Sequence, residues 1–93
     1  MIRSCRDKET EKLFNRIPSR KFQPIEKSAS KKLHVLHDAT GLRDLSLPSL
    51  RLEKLKGDRA GQYSIRINDQ WRICFEWPDQ APGPSNVEIV DYH

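Results

Sequence analysis

Residues 51–75 read RLEKLKGDRAGQYSIRINDQWRICF, and the alternation inside this stretch decides the fold. Tyr63, Ile65 and Ile67 alternate with Gln62, Ser64 and Arg66; after Asn68-Asp69-Gln70, the residues Trp71, Ile73, Phe75 and Trp77 alternate again. A period of two belongs to half-buried strands, and a polar triplet between two such runs is a turn, so the segment predicts an antiparallel hairpin with one apolar face. Arg66 and Arg72 have the opposite parity, so both are expected on the other face as a two-point clamp for phosphate oxygens. Lys54, Lys56 and Arg59 are expected to extend that cationic face. Leu52 and Leu55 lie three apart and cannot share one face of a regular strand, which calls for a bulge or a strand ending near Lys54.

On the N-terminal side the period changes to that of helices. Ile2 to Arg6 reads as a short opening strand. Asp7 is placed to cap a helix running to about Arg16, with Leu13, Phe14 and Ile17 toward the core and Pro18 as its stop. Pro24 suits the first turn of a second helix, whose apolar stripe is Ile25, Ala29, Leu33 and Leu36. Gly41 is read as its stop, followed by one further turn, with Leu42, Leu45 and Leu47 closing the end of the core. His34 and His37 are three apart on the second helix, but no Cys, Asp or Glu beside them completes a metal set at the usual spacing, and they read as surface or boundary residues. On the C-terminal side, residues 78–85 contain three prolines and a glycine and form a loop, and Asn86 to Asp91 returns as the last strand.

A chain of 93 residues provides one domain, here residues 1–93, with a single two-layer core. Lys and Arg number 17 against 13 Asp and Glu, a net charge of +4, which suits a polyanionic partner and equally suits a solvated charged surface. Charge alone does not separate the two. Cys5 and Cys74 are expected as reduced, chemically idle thiols of a cytoplasmic protein. No apolar run reaches the roughly 20 residues that span a bilayer, and the start MIRSCRDKE lacks a signal-peptide core, so neither membrane nor leader is expected.

The small size, the opening strand with a helical pair, Arg51-Leu52 to Leu55-Lys56-Gly57, the hairpin from Gly61 to Arg72 with Asn68 and Trp71, and the ending Val90-Asp91-Tyr92-His93 occur here in one order. In that order they resemble the HigB toxins of the RelE superfamily, over essentially the whole chain. The resemblance implies an α+β, RelE-like compact fold of two to three helices on a twisted, mainly antiparallel sheet of four to five strands. It implies a ribosome-dependent mRNA endonuclease acting in the ribosomal A site, with mRNA, the ribosome and a HigA-type helix-turn-helix antitoxin as partners. Operator DNA would be reached only through that antitoxin. Carried over by position, Lys56, Arg72, Asp91, Tyr92 and His93 match functional positions of the family. Glu53 departs, since some relatives have histidine there; a carboxylate exchanges protons but supplies no positive charge, and its role stays open.

The chemistry expected from these residues needs neither metal nor cofactor: an RNA 2′-hydroxyl attacks the adjacent phosphate. Lys56 and Arg72 would neutralise the charge that develops on phosphorus. His93 is the side chain best suited to carry a proton at neutral pH, with Asp91 orienting it or sharing that task, and Tyr92 would stack on a base or donate a hydrogen bond. Arg66, Lys54, Arg59 and Glu53 are expected to line the RNA path. Lys8, Lys12, Lys21, Lys27, Lys31 and Lys32 on the helical half would meet ribosomal RNA. The alternative, from a different class, is a non-catalytic basic module that binds structured RNA or the ribosome and blocks translation by occupancy.

Overall fold

The structure, a computed structural model, describes residues 1–91. Two helices, α1 (Lys8–Phe14) and α2 (Glu26–Asp38), lie against a four-stranded antiparallel sheet. The strands β1 (Glu53–Lys54), β2 (Gln62–Arg66), β3 (Trp71–Glu76) and β4 (Ser85–Asp91) are ordered as in the chain. This is the α+β architecture expected from the sequence.

The alternation sets the register. Ile65 faces Ile73, which faces Ile89, while Tyr63 faces Phe75, so one side of the sheet is continuously apolar. That side meets Leu13 of α1 and Ala29, Leu33 and Leu36 of α2, all sealed from solvent. Asn68 makes the β2–β3 turn by accepting from the backbone N–H groups of Gln70 and Trp71 through its own side chain. Thr10 ties the layers together: buried on α1, its hydroxyl accepts from the Ile89 N–H at 3.1 Å.

Several expectations are corrected. Helix α1 ends at Phe14 rather than near Arg16, because Arg16 adopts a left-handed φ of 60°. The Arg16 and Ile17 N–H groups then bond the carbonyls of Leu13 and Lys12, a Schellman ending that turns Ile17 outward. Ile17 is therefore exposed instead of facing the core. Pro24 initiates a single 3₁₀ turn, Gln23–Ile25, which leads into α2. The further turn after Gly41 is a 3₁₀ turn, Leu42–Leu45; α2 itself stops earlier, at Asp38, with Ala39 already extended. Leu45 is buried there and Leu42 is partly buried, but Leu47 points to solvent and Leu50 takes the core position.

The opening segment makes one parallel bridge, Cys5 to Val87, rather than a strand. Its neighbour at that point is the bulged start of β4, where Asn86 adopts a left-handed φ of 51° and the register slips between Cys74 and Glu76, so the ladder does not propagate. Gly83 lets this segment pass: a Cβ there would lie 1.8 Å from the Met1 carbonyl oxygen. Leu52 and Leu55 are reconciled by a strand of only two residues, after which the Leu55 N–H bonds the Gln62 carbonyl and the chain leaves the sheet.

Candidate active site

The face of the sheet turned away from the helices is not bare. Glu53, Ser64, Cys74 and Glu88 stand in one cross-strand row, with Arg66, Arg72 and Val90 in the next. Ser64 and Cys74 are completely buried although no helix covers them. The Arg72 side chain lies on Ser64. The Arg72 Nε donates to Ser64 Oγ at 2.8 Å, and its Nη2 donates to the Arg51 carbonyl at 2.6 Å and stands 4.0 Å from a Glu53 oxygen. Arg51 is left-handed, φ 47°, at the end of the turn Pro48–Leu50, and from there its carbonyl accepts from Arg72.

At the other end of the row, Arg59 Nη1 donates to Glu88 Oε2 at 3.2 Å and to Gln62 Oε1 at 3.1 Å. The same Glu88 oxygen accepts from Arg6 at 3.2 Å. Two small side chains in the middle of the row thus leave room for two guanidinium groups, each beside a carboxylate at its end. Burial pushes the Cys74 thiol above its ordinary pKa; the opposing fields of Arg59, Glu88, Arg72 and Glu53 act on it as well.

The sequence-expected residues do not all gather here. Arg66 is in register with Arg72 on this face but is paired with Asp69 of the turn. Lys54 is in register with Tyr63, so it belongs to the helix-side parity at the sheet edge and not to the arginine face. Lys56 is exposed just past the end of β1, immediately before the turn Gly57–Arg59, and its side chain makes no capping bond there; among the described residues it has no ion pair. Gly57 at φ 65° permits the tight reversal there.

A family model described as "RelE-like toxin of type II toxin-antitoxin system HigB" matches residues 3–93. The chain belongs to the HigB-like toxin family. Toxin HigB-1 of Vibrio cholerae is 39% identical over 72 residues, 76% of this chain and 72% of its own. Endoribonuclease HigB of Proteus vulgaris is 31% identical over 98 aligned positions and covers both chains completely. Among solved structures, the YoeB-YefM complex from Staphylococcus aureus superposes with a TM-score of 0.59 at 22% identity, covering 100% of this chain and 98% of that one, and agrees in fold.

In this HigB-like chain Asp91 is in register with Trp71, so it has the helix-side parity at the end of the sheet, opposite to Arg72. It is exposed and accepts from Gln70 Nε2 at 3.1 Å. Tyr92 and His93 lie outside the described residues. The two histidines of α2 flank Phe14, with ring centroids 5.2 Å and 4.9 Å away; His34 Nδ1 donates to the Ser30 carbonyl and His37 Nδ1 accepts from the Ile2 N–H. No group of three His, Cys, Asp or Glu side chains that could hold a metal occurs among the described residues. No helix among them is long and apolar enough to cross a membrane. Sequence reasoning missed Ser64 and Glu88; the signal was there, since a small polar residue opposite a cysteine in a strand pair leaves space that only a neighbouring long side chain can fill.

Proposed function

We propose that this chain is a metal-independent, ribosome-dependent mRNA endonuclease, the toxin of a type II pair restrained by a HigA-type antitoxin in the cytoplasm. Its relative from Proteus vulgaris bears the name of an endoribonuclease and aligns over the full chain. The observation that carries the reading is the Arg72 guanidinium, fixed by Ser64 and by the Arg51 carbonyl on the sheet face away from the helices. A cation held in place before substrate arrives needs no reorganisation when charge develops on a phosphorane, which is how fixed donors lower a barrier.

The 2′-hydroxyl of the nucleotide at the cleavage site attacks its own phosphate, giving a 2′,3′-cyclic phosphate and a free 5′-hydroxyl. Arg72 and Lys56 neutralise the added negative charge. His93 moves the protons, and Tyr92 offers the strand an aromatic face and a hydroxyl. One proton-transferring group contributes about 10²- to 10⁴-fold, so positioning of the strand by the ribosome makes up the remainder.

Mapping mRNA 5′ ends on translating ribosomes tests this. New ends within A-site codons are expected with the wild-type chain and are lost with Arg72→Ala and with deletion of His93, while both variants still bind ribosomes. Translation blocked without new 5′ ends would replace the proposal by the occupancy reading. Cleavage of naked RNA at an equal rate would remove the ribosome from it.

A further inference from the structure

Lys56 lies in the short connection between β1 and β2, and the local backbone bonds of that connection are few. The Arg59 N–H bonds the Lys56 carbonyl at 3.3 Å, and the Ala60 N–H bonds the Gly57 carbonyl at 3.0 Å. Gly57, with its φ of 65°, has no side chain to pack, and the turn Gly57–Arg59 buries no residue. Leu55, buried and bonded through its N–H to the Gln62 carbonyl at 2.9 Å, holds the chain before Lys56, but the turn after it has little of its own to fix its direction.

The anchor comes from another strand. Glu88, in the middle of β4 and only 19% exposed at its side chain, accepts from Arg59 at 3.2 Å, and Gln62 at the start of β2 accepts from the same guanidinium nitrogen. Glu88 is in register with the fully buried Cys74 of the neighbouring strand β3, so it is tied to the sheet ladder on the side that bears Arg72. We infer that Glu88 is a positioning residue, which through Arg59 fixes the turn carrying Lys56 in relation to the sheet that carries Arg72. The inference rests on the nuclease reading for its catalytic consequence. Its mechanical part, the holding of the turn, stands independently. A carboxylate on this face would repel RNA if it stood alone, and between Arg6 and Arg59 its charge is compensated.

Single-turnover cleavage on ribosomes programmed with a defined mRNA, measured beside ribosome affinity, separates positioning from binding. Glu88→Ala should slow cleavage about tenfold to a hundredfold, the scale of a small misplacement of a reacting group, with ribosome affinity held. Glu88→Gln, which keeps an oxygen for Arg59, should recover most of the rate. The Glu88→Ala/Arg59→Ala double variant should be no slower than the slower single, as members of one unit behave. Arg6→Ala, which touches Glu88 but not the turn, should stay within about twofold of wild type.

Additive losses in the double variant, or a rate loss matched by weaker ribosome binding, overturn the inference. If Glu88→Ala does not fold, Arg59→Ala against Arg59→Lys carries the same comparison from an unburied turn. Amide exchange at Arg59 and Ala60 reads the mechanical part directly: it should accelerate in Glu88→Ala, and unchanged exchange overturns the inference even if the wild type cleaves. Accelerated exchange in a chain that never cleaves would leave the anchor standing and sink the nuclease reading instead.

Discussion

On the helix side of the sheet Ile65, Ile73 and Phe75 are sealed by Leu13, Leu33 and their neighbours, and on the other side Ser64 and Cys74 are buried just as completely, in a row where Arg72 bonds Ser64 and Arg59 bonds Glu88. The first seal is non-directional: apolar area leaves water, and many side chains of suitable volume would serve. The second is directional. It depends on Arg72 reaching both Ser64 Oγ and the Arg51 carbonyl, and on Arg59 reaching Glu88. One face therefore holds the fold, and the other holds charged groups in fixed places at the expense of a simple core. Substitutions that separate these two roles test the comparison.

The largest effect on stability is expected from Phe75→Ala on the helix side. The ring is fully buried between Tyr63 and Trp77, so its loss should cost about 3–5 kcal/mol, read as a lower urea midpoint. Activity per folded molecule should hold. An unchanged midpoint would mean that the apolar face does not carry the core.

Next comes Arg72→Ala, for which the balance reverses. Cleavage should fall about 10²- to 10³-fold, the scale of removing one fixed donor to a developing charge. Stability should drop by only about 1–2 kcal/mol, from the hydrogen bonds lost at Ser64 and Arg51. A folded Arg72→Ala chain that cleaves normally would remove the arginine face from the chemistry.

Cys74→Leu sharpens the contrast further, because it changes no charge. The larger side chain intrudes between Ser64, which holds Arg72, and Glu88, which holds Arg59, and should reduce cleavage about tenfold or more while costing about 1–3 kcal/mol for overpacking. Cys74→Ala, which leaves that space open, should retain most activity. Equal activity from the Leu and Ala variants would show that the space between the arginines is irrelevant.

The two faces were not equally legible in the sequence. Ile65, Ile73, Phe75 and the stripe Ala29, Leu33, Leu36 could be placed from period alone, because burial of apolar side chains has a partner wherever a second apolar face exists. The same parity put Arg66 and Arg72 together correctly, yet it could not tell that Arg66 turns to Asp69 while Arg72 lies down on Ser64. That choice depends on a carbonyl 21 residues away, at Arg51, presented by a left-handed backbone that no pattern announces. Lys54 and Asp91 were misplaced or unplaced for a related reason: β1 is two residues long and β4 carries a bulge, so parity could not be counted in from outside. Ile17, apolar at helical spacing, and Leu47, expected to close the end of the core, both lie just beyond the ends of their turns and are exposed.

The smallest effect concerns the thiols, which report on the two kinds of seal. Cys5 is half-buried where the opening segment meets β4, and burial, aided by Glu11 and Asp7, pushes its pKa up to about 11. Only the thiolate attacks an alkylating reagent, so at pH 8 the reactive fraction should be about a hundredfold below that of an ordinary thiol. The sign follows: the Cys5 rate should keep rising about tenfold per pH unit through pH 9 and level off only near 11. A plateau at pH 9 would show that the thiol is not held in its neutral form. Cys74 should differ in kind, since it is fully buried, and its labelling should follow opening of the face that carries Arg59 and Arg72. In the Arg59→Ala/Arg72→Ala double variant Cys74 should label at neutral pH without loss of the fold, while Cys5 keeps its slow, alkaline profile. Equal Cys74 labelling before and after those substitutions would mean that something other than arginine seals that face.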